Sequence, residues 1–252
     1  MITGGGSGIG EATARLFARE GASVIVVGRT QEKLDDTVRK IEQDGGTGVA
    51  ISADVSAPDE MASLFDQVVG LWNRLDILFA HAGINGVWAP VDEIKPEEWH
   101  KTIAINLTGT FLTVKYAVPL LKKQGGSIII TSSINGTRRF TGAGASAYSA
   151  SKAGQIAFMQ MTALELAKYR IRVNAICPGA ITTEIEQTTD RRNVERAAEP
   201  VQYPAGDIPL TDGEPGSAEQ VAELVLFLAS NRSSHITGTP VWIDGAESLL
   251  QG

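Results

Sequence analysis

Residues 3–10 read Thr-Gly-Gly-Gly-Ser-Gly-Ile-Gly and run directly into a helix-period segment, residues 11–20. Glycines at 4, 8 and 10 permit a tight turn and let backbone come close to a pyrophosphate. The helix N-terminus behind them supplies unpaired N–H groups and the positive end of a dipole. Such a turn counts only between a strand and a helix of an α/β pattern, and the rest of the chain supplies that pattern. Residues 24–27 are a continuous β-branched run, as a strand buried on both faces requires. Leu34, Val38 and Ile41 then recur at helical spacing until Gly45-Gly46. Further strands are expected at 49–53, 77–80, 128–131, 173–177 and 241–243, with long helices over 97–123 and 148–168. Ser56 is expected to cap a helix that has Pro58 in its first turn and a stripe of Met61, Leu64, Phe65, Val68 and Trp72. Ser217 and Gln220 have capping-box spacing before another apolar run. Strand and helix alternate without a break in composition, which predicts a parallel sheet covered by helices on both faces.

Only Met1 and Ile2 precede Thr3. A central strand that short leaves its neighbours' ladder groups unpaired, at roughly 1–3 kcal/mol each. The expectation is that the polypeptide begins several residues earlier, with a short β-branched stretch ahead of Met1.

Composition narrows the function. The 252 residues hold 22 Lys+Arg against 29 Asp+Glu, a net charge of −7, so there is no basic surplus for a nucleic-acid backbone. An apolar content of 43% with 20% charged residues predicts a globular chain, read as one domain over residues 1–252. No uninterrupted apolar run nears the roughly 18 residues of a membrane span, and no secretory leader pattern opens the chain, so a soluble cytoplasmic protein is expected. Cys177 is the only cysteine, which excludes an internal disulfide and a multi-cysteine zinc site; no metal is expected. Residues 184–216 are polar and rich in Pro, Gly and charge, and are read as a lid over the site.

A carboxylate that holds the ribose of NAD belongs at the end of the second strand, about 20 residues after the turn. Gly28 stands there, followed by Arg29, and a guanidinium suits a 2′-phosphate. The expected cofactor is therefore NADP(H), with NAD(H) left open because Ser7, not a basic residue, occupies the glycine turn. Tyr148 and Lys152 in Tyr-Ser-Ala-Ser-Lys lie one helical turn apart on one face. A phenol is a poor acid–base group near neutrality, and an ammonium beside it favours the phenolate; a useful shift takes roughly 3–4 kcal/mol. Ser132-Ser133 follows the strand at 128–131, where a hydroxyl reaches the C-terminal edge of the sheet.

Taken together, these residues resemble the short-chain dehydrogenase/reductase family. The resemblance runs from Thr3 to about Gly245 and rests on seven motifs in order. These are Thr3-Gly4…Gly8-Ile9-Gly10, Asp54-Val55, Ala82-Gly83, Asn106-Leu107-Thr108-Gly109, Ser133, Tyr148-Ser149-Ala150-Ser151-Lys152 and Pro178-Gly179. It implies an α/β, single-domain, doubly wound Rossmann fold of about seven parallel strands. It implies hydride exchange between a nicotinamide and a ketone or secondary alcohol, with 3-oxoacyl-(acyl-carrier-protein) reductases among the similar subgroups. A non-catalytic nucleotide-binding protein is the alternative from another class.

By the same resemblance, Ser133 polarises the substrate oxygen and Tyr148 is the general acid in reduction and base in oxidation. Lys152 holds the nicotinamide ribose and lowers the tyrosine pKa, while Asn106 supports a water that links Lys152 to solvent. Gly4, Ser7, Gly8, Ile9, Gly10 and Arg29 would hold the phosphates. Asp54 and Val55 would meet the adenine, and Ala82 and Gly83 a ribose. Ile181 and Thr183 would meet the carboxamide after Pro178-Gly179. A tetramer or dimer is implied through the helices at 97–123 and 148–168. The chain departs from the family at Ala80-His81, where two asparagines are common, and His81 is expected to be structural. A spacing of 15 residues from Ser133 to Tyr148 predicts a bulge toward the substrate near Arg138, Arg139 and Phe140. The expected substrate pocket is lined by Ile134, Phe140, Ala143 and the lid.

Overall fold

The computed structural model describes residues 1–140, 142–199 and 207–251. Its strands are β1 (Ile2–Thr3), β2 (Ser23–Gly28), β3 (Thr47–Ser52), β4 (Ile77–Ala80), β5 (Gly86–Trp88), β6 (Gly126–Thr131), β7 (Ile171–Pro178), β8 (Thr189–Arg191) and β9 (Pro240–Ile243). Its α-helices are α1 (Gly8–Arg19), α2 (Gln31–Gln43), α3 (Pro58–Trp72), α4 (Pro96–Ile103), α5 (Gly109–Leu121), α6 (Ser146–Ala167), α7 (Ala218–Ala229) and α8 (Glu247–Gln251). Seven strands form one parallel sheet in the order β3-β2-β1-β4-β6-β7-β9. Strand order reverses direction about β1, so a crevice opens at the C-terminal ends of β1 and β4.

Continuous apolar strands make this sheet because their two faces are both covered. Ile25 and Val27, Leu78 and Ala80, and Ile128 and Ile130 pack toward α3, α5 and α6. Val24 and Val26, Phe79, and Ile129 pack toward α1, α2 and α7. The alternation is the period of two of a strand, with a core on each side. The two residues of β1 pair Ile2 and Thr3 with Val26 and Val27 on one side and with Phe79 and Ala80 on the other. Met1 extends the pairing, its carbonyl accepting from Phe79 N–H at 2.9 Å and its amine donating to the Ile77 carbonyl at 2.9 Å.

Four local expectations need correction. The first helix begins at Gly8, inside the glycine motif, not at residue 11. Ala57, not Ser56, is the N-cap of α3; the Ser56 hydroxyl instead donates to Asp54 Oδ1 at 2.6 Å. The helix expected over 97–123 is α4 and α5 joined by a π-helical turn, Ala104–Thr108. The stretch Pro96–Leu121 is long and apolar enough to cross a membrane by length and composition, although its apolar residues do not form one uninterrupted run. In this fold its Leu112, Val114, Ala117, Leu120 and Leu121 belong to the core.

The expected lid is built of short pieces. Residues 184–188 form a 3₁₀ turn and lead into β8, which pairs with β5 in a two-stranded sheet that the sequence did not suggest. Arg192 binds the carboxylate of Glu98 on α4 at 2.9 Å, which fastens this part of the lid to the body. Lid residues 200–206 lie outside the described residues.

Candidate active site

The cleft at the C-terminal edge of the sheet has a volume of about 550 Å³. That is within the range of small-ligand and cofactor sites. One wall is the glycine turn. Gly4 and Gly5 donate their N–H groups to the Val27 carbonyl at 2.7 and 3.2 Å, which ties the turn to β2. A side chain at residue 10 would run into the Gly4 carbonyl oxygen, so this turn closes only with glycine there. Ser7 is the N-cap of α1, yet its side chain makes no capping bond, so the first N–H groups of α1 are not taken by their own cap. Bare backbone, a helix N-terminus and an adjoining cleft fit a dinucleotide pyrophosphate.

The opposite wall carries the chemistry. Ser133 follows β6, and the buried Tyr148 and Lys152 project from the first turns of α6. Burial pushes the Tyr148 phenol up to about 12, against the lowering effect of the Ser133 side chain and with a smaller upward push from Glu186. Lys152 Nζ donates to the Thr131 carbonyl at 2.9 Å and lies 5.5 Å from the centre of the Tyr148 ring. Burial pushes its ammonium down to about 8. The expected lowering of the tyrosine by Lys152 is therefore not what governs the phenol here: desolvation outweighs it.

Asn106 sits in the π-helical turn, fully buried beneath the cleft floor. Its Oδ1 accepts the Ile84 N–H at 2.9 Å, and its Nδ2 donates to the Ile84 carbonyl and to Ser151 Oγ at 2.9 and 3.0 Å. Its own carbonyl accepts from Gln155 Nε2 at 2.8 Å. Wide helical turns of this kind release a carbonyl from the regular ladder and recur at functional sites.

Of the residues expected from sequence, Gly4, Ser7, Gly8, Ile9, Ala82, Gly83, Ser133, Tyr148, Lys152, Pro178, Gly179, Ile181 and Thr183 all line this one cleft. Gly10, Arg29, Asp54, Val55 and Asn106 do not. Arg29 is exposed just beyond β2. Asp54 is raised by burial, but the hydroxyl and N–H of Ser56 and the charge of Arg29 outweigh this and hold it below its ordinary value. Val55 is buried against Gly109. His81 also lines the cleft: its N–H donates to Thr3 Oγ1 at 3.0 Å, its Nδ1 meets Thr131 Oγ1 at 3.0 Å, and its ring stacks on Phe79. Burial and the charge of Lys152 push it down to about 3, so it is neutral at physiological pH.

On the substrate side, Ile134 lines the cleft as expected, whereas the exposed Phe140 and half-buried Ala143 are not among its lining residues. Arg138 lies 3.5 Å over the Trp242 ring, and Arg139 lines the cleft paired with Glu247, so neither is a merely solvated loop cation. Lys33, Asn85, Trp88, Asn135 and Glu247 also line the cleft and carried no sequence signal. They arrive from α2, the β4–β5 connection, β5, the loop after β6, and α8, which no local motif links.

A family model described as enoyl-(acyl carrier protein) reductase matches residues 4–246. A 3-oxoacyl-(acyl-carrier-protein) reductase of Thermotoga maritima is 38% identical over 97% of this chain and 95% of its own length. The 3beta-hydroxysteroid dehydrogenase 1 of Eggerthella lenta is 37% identical over 100% of this chain and 94% of its own length. Among solved structures, a 3-ketoacyl-ACP reductase from Sinorhizobium meliloti is 52% identical with a TM-score of 0.95, covering 99% of this chain and 98% of that one. A 3-ketoacyl-(acyl-carrier-protein) reductase from Brucella melitensis, solved with NADH, is 28% identical with a TM-score of 0.85, covering 98% and 96%. With the parallel sheet, the glycine turn and a Ser–Tyr–Lys cleft, these matches show that the chain belongs to the short-chain dehydrogenase/reductase family, nicotinamide-dependent oxidoreductases that act on CH–OH groups.

Proposed function

We propose that this chain is an NADP(H)-preferring enzyme that interconverts a small ketone and its secondary alcohol, using Tyr148 as the proton donor and acceptor. The observation that carries the reading is that Ser133, Tyr148 and Lys152, whose ammonium lies 5.5 Å from the centre of the phenol ring, line the same cleft as the glycine turn. In reduction, Ser133 donates a hydrogen bond to the carbonyl oxygen, and Tyr148 delivers a proton to that oxygen as negative charge develops. In oxidation, Tyr148 takes the alcohol proton. Lys152 holds ribose hydroxyls and sets a positive field at the phenol, while Asn106 acts through its neighbours by fixing Ile84 and Ser151. Gly4, Ser7, Gly8, Ile9 and Gly10 hold the pyrophosphate, Asp54 and Val55 the adenine, Ala82 and Gly83 a ribose, and Pro178, Gly179, Ile181 and Thr183 the carboxamide. A bound nicotinamide supplies the hydride chemistry itself.

The preference for the phosphorylated cofactor rests on Gly28-Arg29, a cation where a carboxylate would favour NAD(H). Arg29→Asp is expected to weaken NADPH binding by at least about tenfold, the effect of one charge-assisted contact, while NADH binding changes little. Equal losses for both cofactors, measured by fluorescence titration, refute the assignment.

The test of the function is nicotinamide absorbance across ketones, oxoacyl thioesters, sugars and secondary alcohols, with both cofactors and a Tyr148→Phe control. Turnover that disappears in the control supports the proposal. Cofactor binding with no turnover across the panel supports a non-catalytic nucleotide-binding protein instead. A second reading, reduction of a 3-oxoacyl thioester, is favoured by the name of the 52%-identical structure, and preference for thioesters in the panel decides it.

The protein is further proposed to work as a cytoplasmic homo-oligomer. Phe111 on α5 and Met161 and Leu164 on α6 are exposed apolar residues on helices that a second copy can cover. Light scattering in solution tests this.

A further inference from the structure

Glu247 is the first residue of α8 and lies just beyond the stretch that the family model matches. It is only 1% exposed, yet it is a carboxylate that lines the cleft. One oxygen, Oε2, accepts the Ala180 N–H at 2.7 Å. The other, Oε1, is paired with the Arg139 guanidinium. The carboxylate packs directly on Gly179, where a Cβ would lie 2.5 Å from Oε2. Such a Cβ would also lie 2.7 and 3.0 Å from Asp244 Cβ and Cα, and this backbone contact is the reason for glycine at 179.

The two partners belong to the two halves of the site. Ala180 follows Pro178-Gly179 at the end of β7, in the turn that leads to Ile181 and Thr183. Arg139 ends the loop that follows Ser133, a loop wound so tightly that the N–H groups of Thr137, Arg138 and Arg139 all donate to the Ile134 carbonyl, at 3.1, 2.9 and 2.9 Å. A turn at Asp244, whose carboxylate accepts the N–H groups of Ala246 and Ser248 at 3.2 and 3.1 Å, precedes α8. Ala246 adopts φ 71°, a left-handed conformation that costs a non-glycine residue free energy. Such strain persists where the surrounding structure imposes it.

We infer that Glu247 is a positioning residue that registers the two halves of the site: through Ala180 it sets the nicotinamide-facing turn, and through Arg139 it holds the substrate loop that follows Ser133. The inference rests on the proposed function. A buried carboxylate is costly unless both its oxygens are satisfied, and here each oxygen serves a different half.

Two substitutions separate the two contacts. Glu247→Gln keeps an acceptor for the Ala180 N–H and removes the charge that pairs with Arg139. Glu247→Leu removes both contacts. Affinities for NADPH and NADH, and for their nicotinamide-free fragments 2′,5′-ADP and ADP, are measured by titration, alongside steady-state kinetics. Glu247→Leu is expected to weaken the dinucleotide by about tenfold, as loss of one charge-assisted hydrogen bond does, and to leave its fragment unchanged. Glu247→Gln is expected to keep dinucleotide affinity and raise substrate KM severalfold with kcat little changed. Should Glu247→Leu fail to fold, Glu247→Gln and Arg139→Gln carry the test, both raising substrate KM without loss of dinucleotide affinity.

Equal loss of dinucleotide and fragment in Glu247→Leu, or no change in any variant, overturns the inference. So does a dinucleotide loss in Arg139→Gln. Wild-type protein that binds neither dinucleotide refutes the proposed function itself, an outcome distinct from all of these.

Discussion

Tyr148→Phe is expected to lower kcat by about 10²–10⁴-fold, the range for removing a positioned general acid–base group, while cofactor affinity stays within a small factor of wild type. The two side chains differ only by the hydroxyl. The ring keeps its place near Trp88, 6.4 Å between centroids, so the fold has no reason to change. What disappears is the phenol hydroxyl on the reacting side of the cleft, which Ser133 also lines. Rapid-quench or absorbance kinetics with the best substrate of the panel checks this, with cofactor titration in parallel. Retained turnover in Tyr148→Phe removes the proposed mechanism, whereas lost cofactor binding shows a structural defect rather than missing chemistry.

Lys152→Met is expected to have opposite effects on activity and stability. The ammonium is buried and pushed from its ordinary 10.5 down to about 8, which means the folded state disfavours its charge. At 1.36 kcal/mol per pH unit, that corresponds to about 3 kcal/mol of destabilisation wherever both folded and unfolded states hold the proton. Methionine removes this penalty and loses the hydrogen bond to the Thr131 carbonyl, worth about 1 kcal/mol.

The variant is therefore expected to be about 1–3 kcal/mol more stable at pH 7 and to lose turnover at least about 10²-fold. The sign with pH follows from the depressed folded-state value. Between about 8 and 10.5 the unfolded wild type binds more protons, so wild-type stability rises with pH through this Lys152 contribution. The advantage of the variant accordingly shrinks from pH 8 upward. The buried Cys177 thiol, pushed up to about 11 by burial against the lowering charge of Lys152, rises further in the variant. Urea unfolding of both proteins at pH 7, 8, 9 and 10 measures the difference in stability. A variant no more stable at pH 7, or a difference that does not narrow, contradicts the argument.

Such a trade is the ordinary cost of a site that holds charge where water has been excluded. Lys152 is kept where it weakens the fold, and the rest of α6 is arranged around it: Ser132 Oγ donates to the Lys152 carbonyl at 2.8 Å, and Ser151 Oγ donates to the Tyr148 carbonyl at 2.6 Å. These bonds fix the backbone from which both functional side chains project.

What the sequence determined by itself was whatever depends on period and on hydrogen bonds within a few residues. The strand at 77–80 is β4 to the residue, because a continuous apolar run between polar flanks has few other uses. The capping box is formed as read, with Ser217 N–H donating to Gln220 Oε1 at 2.8 Å and Gln220 N–H to Ser217 Oγ at 3.3 Å. Glycine turn, Tyr148, Lys152 and Ser133 were legible because, with the other motifs in order along the chain, they resemble one family. Ser56 was misread because a nearer acceptor, Asp54, competed for its hydroxyl. The β5–β8 pair joins segments about 100 residues apart and carries no local pattern.

Only the tertiary structure decided which charges enter the cleft. Lys33 reaches it from α2 and bonds Glu184 at 2.6 Å, while Glu247 reaches it from the far end of the chain to hold Ala180 and Arg139. It also decided that burial, not the neighbouring ammonium, governs the Tyr148 phenol. The physical reason is the same in each case. Propensity and period act over one or two turns, whereas desolvation and ion pairing depend on what lies within a few ångströms after the chain has folded.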